Sequence, residues 1–296
     1  MTVNSSISAP PRGELEYGFK PRRTKVIRAP SISLRGIQNS LLLLGQYRDL
    51  IYTLSLHRIK VRYKQSLLGP FWAILQPLSL MLIYTIIFSL VFRIPSGDKP
   101  YSLFVFTGLL PWICFSSALT SATNSLTSHA SLITKVYFPR EILPLTYVVA
   151  SLFDFIVASL VLGGLLFYYS VPLTWNALYV LPIMMSLTLF AVAMSLFFSA
   201  LHGRYRDIGF GISLLLQIWM FATPVVYPLS MVPQRWRPFY MLNPMTSIVE
   251  GFRGVILQGT PPDFSALGLS VLISIVLLAA AYIFFRFTEA TLADVI

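Results

Sequence analysis

The chain has 296 residues, of which 56% are apolar and 11% charged, and its net charge is +11. A soluble domain carries roughly 25% charged residues, so this composition excludes a body that faces water on all sides. A single cysteine, Cys114, excludes an intrachain disulfide, and His57, His129 and His202 stand too far apart for a metal-ligand motif.

Residues 1–46 are rich in Pro, Ser and Arg and show no clear period, which reads as a flexible basic cytoplasmic tail. They hold no 7–15-residue apolar core, so no cleavable signal is expected, and Arg22-Arg23 lacks the core that a twin-arginine signal needs. Twelve of the 22 Lys and Arg precede residue 65. These basic residues sit beside apolar spans without any nucleic-acid motif. Anionic lipid headgroups are therefore the expected partner, and nucleic acid is not.

Residues 47–68 read as an interfacial amphipathic helix. Tyr52, Leu56, Ile59 and Tyr63 recur at helical spacing as an apolar stripe, flanked by Arg58 and Arg62 on one side and Lys60 and Lys64 on the other. The same stretch also suits a simple extension of the first span, but Gly69-Pro70 breaks the chain before the apolar block.

Six apolar blocks follow within 69–290, at about 71–92, 102–125, 143–168, 177–201, 208–227 and 264–286. Each approaches the ~20 residues that cross a ~30 Å hydrocarbon core. Lys135 and Arg140, then Arg204 and Arg206, mark two connections as cytoplasmic, together with the basic tail. The uncharged connection near 169–176, and 93–101 with only Arg93, Lys99 and Asp98, belong outside. Six crossings return the C-terminus to the cytoplasm, so the expected fold is an all-α integral membrane protein with both ends inside.

The segment 228–263 is apolar but punctuated by Pro228, Pro233, Pro238 and Pro244. Asn243 reads as an N-cap, Pro244 as the first turn and Gly259 as the stop of a helix about 22 Å long, too short to span. Glu250 and Arg253 share one face of it and can pair. A re-entrant or interfacial outer segment is expected here, not a seventh span.

Asp154 lies near the middle of the third block. A charge there costs about 2.5–3.5 kcal/mol on insertion scales, so it should face protein or water. It is either a pathway residue or half of an interhelical bond that fixes packing. The sequence holds no GxxxxGK[ST] phosphate loop, no GxSxG elbow and no HExxH pair, so no catalytic residue, metal or cofactor is assigned to this chain. Energy for uphill transport would then come from another chain or an ion gradient.

Six stretches, taken in order, resemble the transmembrane permease subunit of ABC transporters that export bacterial polysaccharides, namely O-antigen, capsule and teichoic acid. They are RYKQSLLGPFWAILQPL (62–78), PYSLFVFTGLLPW (100–112), LITKVYFPREILP (132–144), RYRD (204–207), TPVVYP (223–228) and LNPMTSIVEGFRGVIL (242–257). The resemblance implies two permease chains with two ATPase chains in a bacterial inner membrane, ATP and Mg bound on the ATPase, and a lipid-linked polysaccharide as substrate. It implies that 128–143 couples to the ATPase through Leu132, Ile133, an exposed Tyr137-Phe138 anchor, Pro139, and Lys135, Arg140 and Glu141 at the rim. An ordinary amphipathic loop is the alternative. Arg58, Lys60, Arg62 and Lys64 become candidates for the substrate's charged lipid head. Tyr84, Phe88 and Phe92, with Trp112 and Phe115, become candidates for an aromatic path that sugar faces slide along, or for lipid-facing packing. Asn243, Pro244, Glu250 and Arg253 fall in the outer gate segment. A drug or small-lipid permease of the same fold, and an ion-coupled carrier or pore, remain as alternatives.

Overall fold

The computed structural model describes residues 45–64, 66–92, 99–136 and 138–295. Residues 1–44 of the basic tail, the connection 93–98 and Tyr137 lie outside the described residues. Helices carry the described chain, with no strand among the described residues.

Helix α1 spans Arg48–Tyr63 and ends at Lys64, whose backbone turns extended. Gly69 stands at φ +53°, in the left-handed region that glycine enters freely, and Pro70 follows it at the next helical position. The span Gly69–Ser89 follows, built from α2 (Trp72–Tyr84) and a wider π-turn over Thr85–Val91. Helix α3 (Tyr101–Thr123) is the most buried of the spans. The connection after it forms a short helix, α4 (Ala130–Lys135). Then come α5 (Ile142–Tyr168) and α6 (Val180–Arg204), the latter extended at its start by the turn Trp175–Tyr179.

Helix α7 runs only over Ile208–Phe221. Its 14 residues measure about 21 Å at 1.5 Å per residue, short of the ~30 Å core. The sequence block continues to 227, but Pro224 disfavours helix at Thr223 and removes a backbone donor, so the chain turns there. Among the described residues five helices are thus long and apolar enough to cross a membrane, and α7 is a shorter apolar helix.

Beyond the turn lie two single 3-10 turns, the five-residue α8 (Arg237–Met241) and α9 (Pro244–Arg253). Asn243 caps α9 by accepting from the Met245 amide, and Pro244 occupies the first position. A π-turn over Gly254–Gln258 carries the helix on to Gly259, which stops it at φ +64°. The last helix, α10, spans Phe264–Val295.

Apolar residues at successive turns of α3 (Leu103, Phe106, Leu110, Cys114) meet α5, α6 and α9 in one core. Helix α9 is buried rather than lying on the surface, with Met245, Ile248, Val249 and Phe252 directed inward. A second cluster joins Leu126, Phe138, Ile142 and Leu143 to Leu196, Tyr282 and Phe285. Large apolar side chains elsewhere point outward, among them Phe167, Leu181, Phe210, Ile218 and Val276. Such a surface fits hydrocarbon and not water.

Candidate functional site

Four groupings of polar or aromatic side chains stand out on this frame. The first joins α1 to the bundle. Tyr47, Leu50, Ile51 and Leu54 pack on the cluster containing Ile142 and Leu143, while Arg62 and Tyr63 reach Asp154 further along α5. The register advances in the same sense on both helices, so α1 follows α5. Arg62 pairs with the Asp154 carboxylate and donates to Ser121 at 3.4 Å, and the Tyr63 hydroxyl donates to the other Asp154 oxygen. One turn earlier, Arg58 lies 4.6 Å over the Tyr147 ring and donates to Nε2 of His129. His129 Nδ1 faces the Ser125 carbonyl at 2.8 Å, which makes Nδ1 the protonated nitrogen and Nε2 the acceptor. Burial, helped by the nearby Arg58 charge and opposed by the Ser125 bond, holds this imidazole below its usual range.

The four basic residues of α1 therefore divide. Lys60 and Lys64 are exposed. Arg58 and Arg62 are not free headgroup ligands: each is turned onto protein partners one helical turn apart, because guanidinium groups satisfy their donors on aromatic, imidazole and carboxylate acceptors. His129, Tyr147 and Ser121 were not legible as partners. The one sequence signal for them was the i, i+4 spacing of Arg58 and Arg62 beside a lone intramembrane acid.

The second grouping is the connection 128–143. Phe138 is 6% exposed and sits in the second cluster, so it is not an exposed anchor. Arg140 donates to the Glu289 carbonyl at 2.9 Å. Glu141, 1% exposed, forms an ion pair with Arg286 at 3.0 Å. Burial raises the Glu141 pKa and the Arg286 charge opposes that rise. Both residues thus fasten the connection to α10 instead of forming a polar rim. Leu132 and Ile133 are half-buried against the same cluster, and Pro139 is half-buried. What faces outward is Ser131, Thr134, Lys135 and Val136.

The third grouping locks the segment 228–263 onto α3 and the end of α7. Arg253, 3% exposed, stacks 3.8 Å over Phe104 and donates to the carbonyls of Pro224 and Val225. It also pairs with Glu250, as their spacing predicted. Gly108 leaves the necessary room, since a Cβ there would stand 2.5 Å from the Arg253 guanidinium and from the Val225 oxygen. Asn243 adds to its capping role by donating to Thr223 and accepting from Trp219. These bonds hold the turn at 223–226, where the helix has stopped and backbone acceptors are open.

The fourth is aromatic. Tyr84, Phe88 and Phe92 form a ladder with ring centroids 6.0 and 5.7 Å apart, half-buried at Tyr84 and Phe88 and open at Phe92. Trp112 and Phe115 do not continue it. They are 4% and 0% exposed, and Phe115 stacks on Phe190 with Trp219 edge-on. Those two are core packing, because both lie on the enclosed part of α3.

Helices of crossing length with outward apolar faces, tied internally by ion pairs, define a multi-pass membrane protein. Residues 49–257 match the family described as ABC-2 type transporter, and the chain belongs to that family. It is 35% identical to the O-antigen export system permease protein RfbA of Myxococcus xanthus over 85% of this chain and 96% of that protein. It is 31% identical to the RfbA permease of Klebsiella pneumoniae, over 73% of this chain and 83% of that one. The polysialic acid transport protein KpsM of Escherichia coli is 21% identical over 81% of this chain and 93% of its own length.

Proposed function

We propose that the chain is the permease half of an ABC exporter that passes a lipid-linked polysaccharide from the cytoplasmic to the outer side of a bacterial inner membrane. The carrying observation is the 35% identity that covers nearly the whole of an O-antigen export permease. Two copies would form the path and two ATPase chains would supply ATP hydrolysis with bound Mg, since this sequence carries no phosphate-binding loop. In this reading α7, continued by the turn at 222–227, is the fifth of six crossings, both termini are cytoplasmic, and 228–263 lies on the outer side. The ATPase would meet the outward face of 131–136. Lys60 and Lys64, not Arg58 or Arg62, would remain to meet headgroup phosphates.

Deleting the coding sequence from its host should remove the surface polysaccharide and leave lipid-linked glycan inside, read by immunoblot of surface and membrane fractions. Inactivating the partner ATPase should give the same phenotype. Surface glycan at wild-type level in the deletion strain would overturn the assignment. Glycan movement in inverted vesicles without ATP would instead favour an ion-coupled carrier.

A further inference from the structure

A cavity of about 340 Å³ opens between α1, α2, α3 and α5, and none of the aromatic path residues expected from the sequence lines it. Its volume is at the low end of small-molecule sites, which run about 300–1,000 Å³. Six polar side chains converge on it: Arg62, Tyr63, Gln76, Ser117, Ser151 and Asp154. The Arg62 and Asp154 side chains keep 32% and 20% of their surface exposed, so the ion pair is open to the cavity and not sealed from it. The Gln76 amide and Ser117 hydroxyl have no partner among the described residues. Trp72, 51% exposed, supplies a ring face to the same space.

The chemistry of this lining selects its occupant. An acyl chain would leave an ion pair, an amide and a hydroxyl facing hydrocarbon, which polar groups between spans avoid. An anionic head would need an uncompensated cation, and the single cation here is already neutralised by Asp154. A neutral ring bearing hydroxyl groups fits both constraints. Its hydroxyls can donate to free lone pairs on the carboxylate and accept from Gln76 and Ser117, while its C–H face lies on the electron-rich indole. We infer that this cavity is a subsite for one neutral sugar ring, and that Gln76, Ser117 and Trp72 contact it. The inference deepens the export reading and rests on it for the source of the sugar, but the binding itself is testable without transport.

Cys114 is the only cysteine of the chain and also lines the cavity, buried with its thiol toward the Ser151 carbonyl. A reporter is therefore simple to place. Ser117→Cys, in a Cys114→Ala background, is reconstituted in lipid nanodiscs with the partner ATPase. Its alkylation rate by a small maleimide is then measured with octyl glucoside, octyl phosphate or octanol, each below its micellar concentration. The glucoside should slow labelling at least threefold, and the other two should leave it within error. Trp72→Leu in the same background should abolish the protection. Gln76→Cys serves as a second reporter if the first fails to assemble, and the same pattern is expected of it.

Equal protection by octanol would make the cavity an apolar site, protection by the phosphate alone would make it an anion site, and no protection would leave it holding water only. Any of these overturns the inference while leaving the export assignment untouched. Conversely, glucoside protection in a chain whose deletion leaves surface glycan unchanged would keep the subsite and sink the export reading.

Discussion

At the scale of single residues, Asp154 carries most of the consequence. Two donors, Arg62 and Tyr63, meet its carboxylate, so its charge is met from α1. Asp154→Asn keeps an acceptor oxygen for either donor and should fold and insert normally. Asp154→Leu strands the Arg62 guanidinium, and Arg62→Leu in the same chain should recover part of the loss. A double-mutant cycle on the unfolding midpoint in nanodiscs should give a coupling of about 1–3 kcal/mol. A coupling near zero would mean that the pair does not hold α1. His129 adds a pH dependence. Its pKa in the folded chain lies below the ordinary value of 6.5, so the unfolded chain takes up the proton first on acidification. The stabilisation is complete above pH 6.5 and is lost as pH falls through the folded value. Protonation would also turn the acceptor that faces Arg58 into a donor. Proteolytic release of α1 should therefore rise below that pH, and His129→Gln should remove the rise.

At the scale of elements, the segment that holds α9 depends on its start. Asn243 caps α9 and bonds both Trp219 and Thr223, so Asn243→Ala removes a cap, a bridge to α7 and a bridge to the turn after it together. The loss of a cap alone costs about 1 kcal/mol. The two bridges should raise the total to about 2–4 kcal/mol, since each neutral hydrogen bond contributes about 0.5–1.5 kcal/mol. Asn243→Asp, which keeps the cap but loses the donor to Thr223, should fall between. Thermal unfolding of the purified chain orders the three. Much of α9 was legible from sequence: the Asn-Pro start, the Gly259 stop and the Glu250–Arg253 pair all follow from local rules. Its burial was not. Those rules describe one helix, whereas the Phe104 ring and the Val225 carbonyl that receive Arg253 come from distant parts of the chain.

At the scale of the whole molecule, the prediction concerns the surface left for a partner. Phe138→Ala should act as a core deletion, lowering stability by roughly 3–5 kcal/mol, because the ring fills the second cluster. It should not act as a clean interface change. Val136→Asp with Lys135→Glu alters only outward-facing side chains. It should release a co-purified ATPase while leaving the unfolding midpoint of the permease within about 0.5 kcal/mol. An ATPase that stays bound through this double change would place the docking surface elsewhere.

The sequence alone determined the class and most of the element limits. Long apolar blocks, Gly-Pro and Asn-Pro breaks and the scarcity of charge are local properties, and they predicted helices within a few residues of Ile142–Tyr168, Trp175–Arg204 and Phe264–Glu289. It also marked Asp154 as a residue needing a partner. Only the tertiary structure decided which charges are free. Arg58, Arg62, Arg140 and Glu141 look like surface charges in a linear reading, yet each is paired across the bundle, on α5 or α10 or the turn beside them. The same holds for Trp112 and Phe115, whose burial depends on what packs around α3. A side chain's type and spacing are written locally, but whether it meets water, lipid or protein depends on neighbours far along the chain.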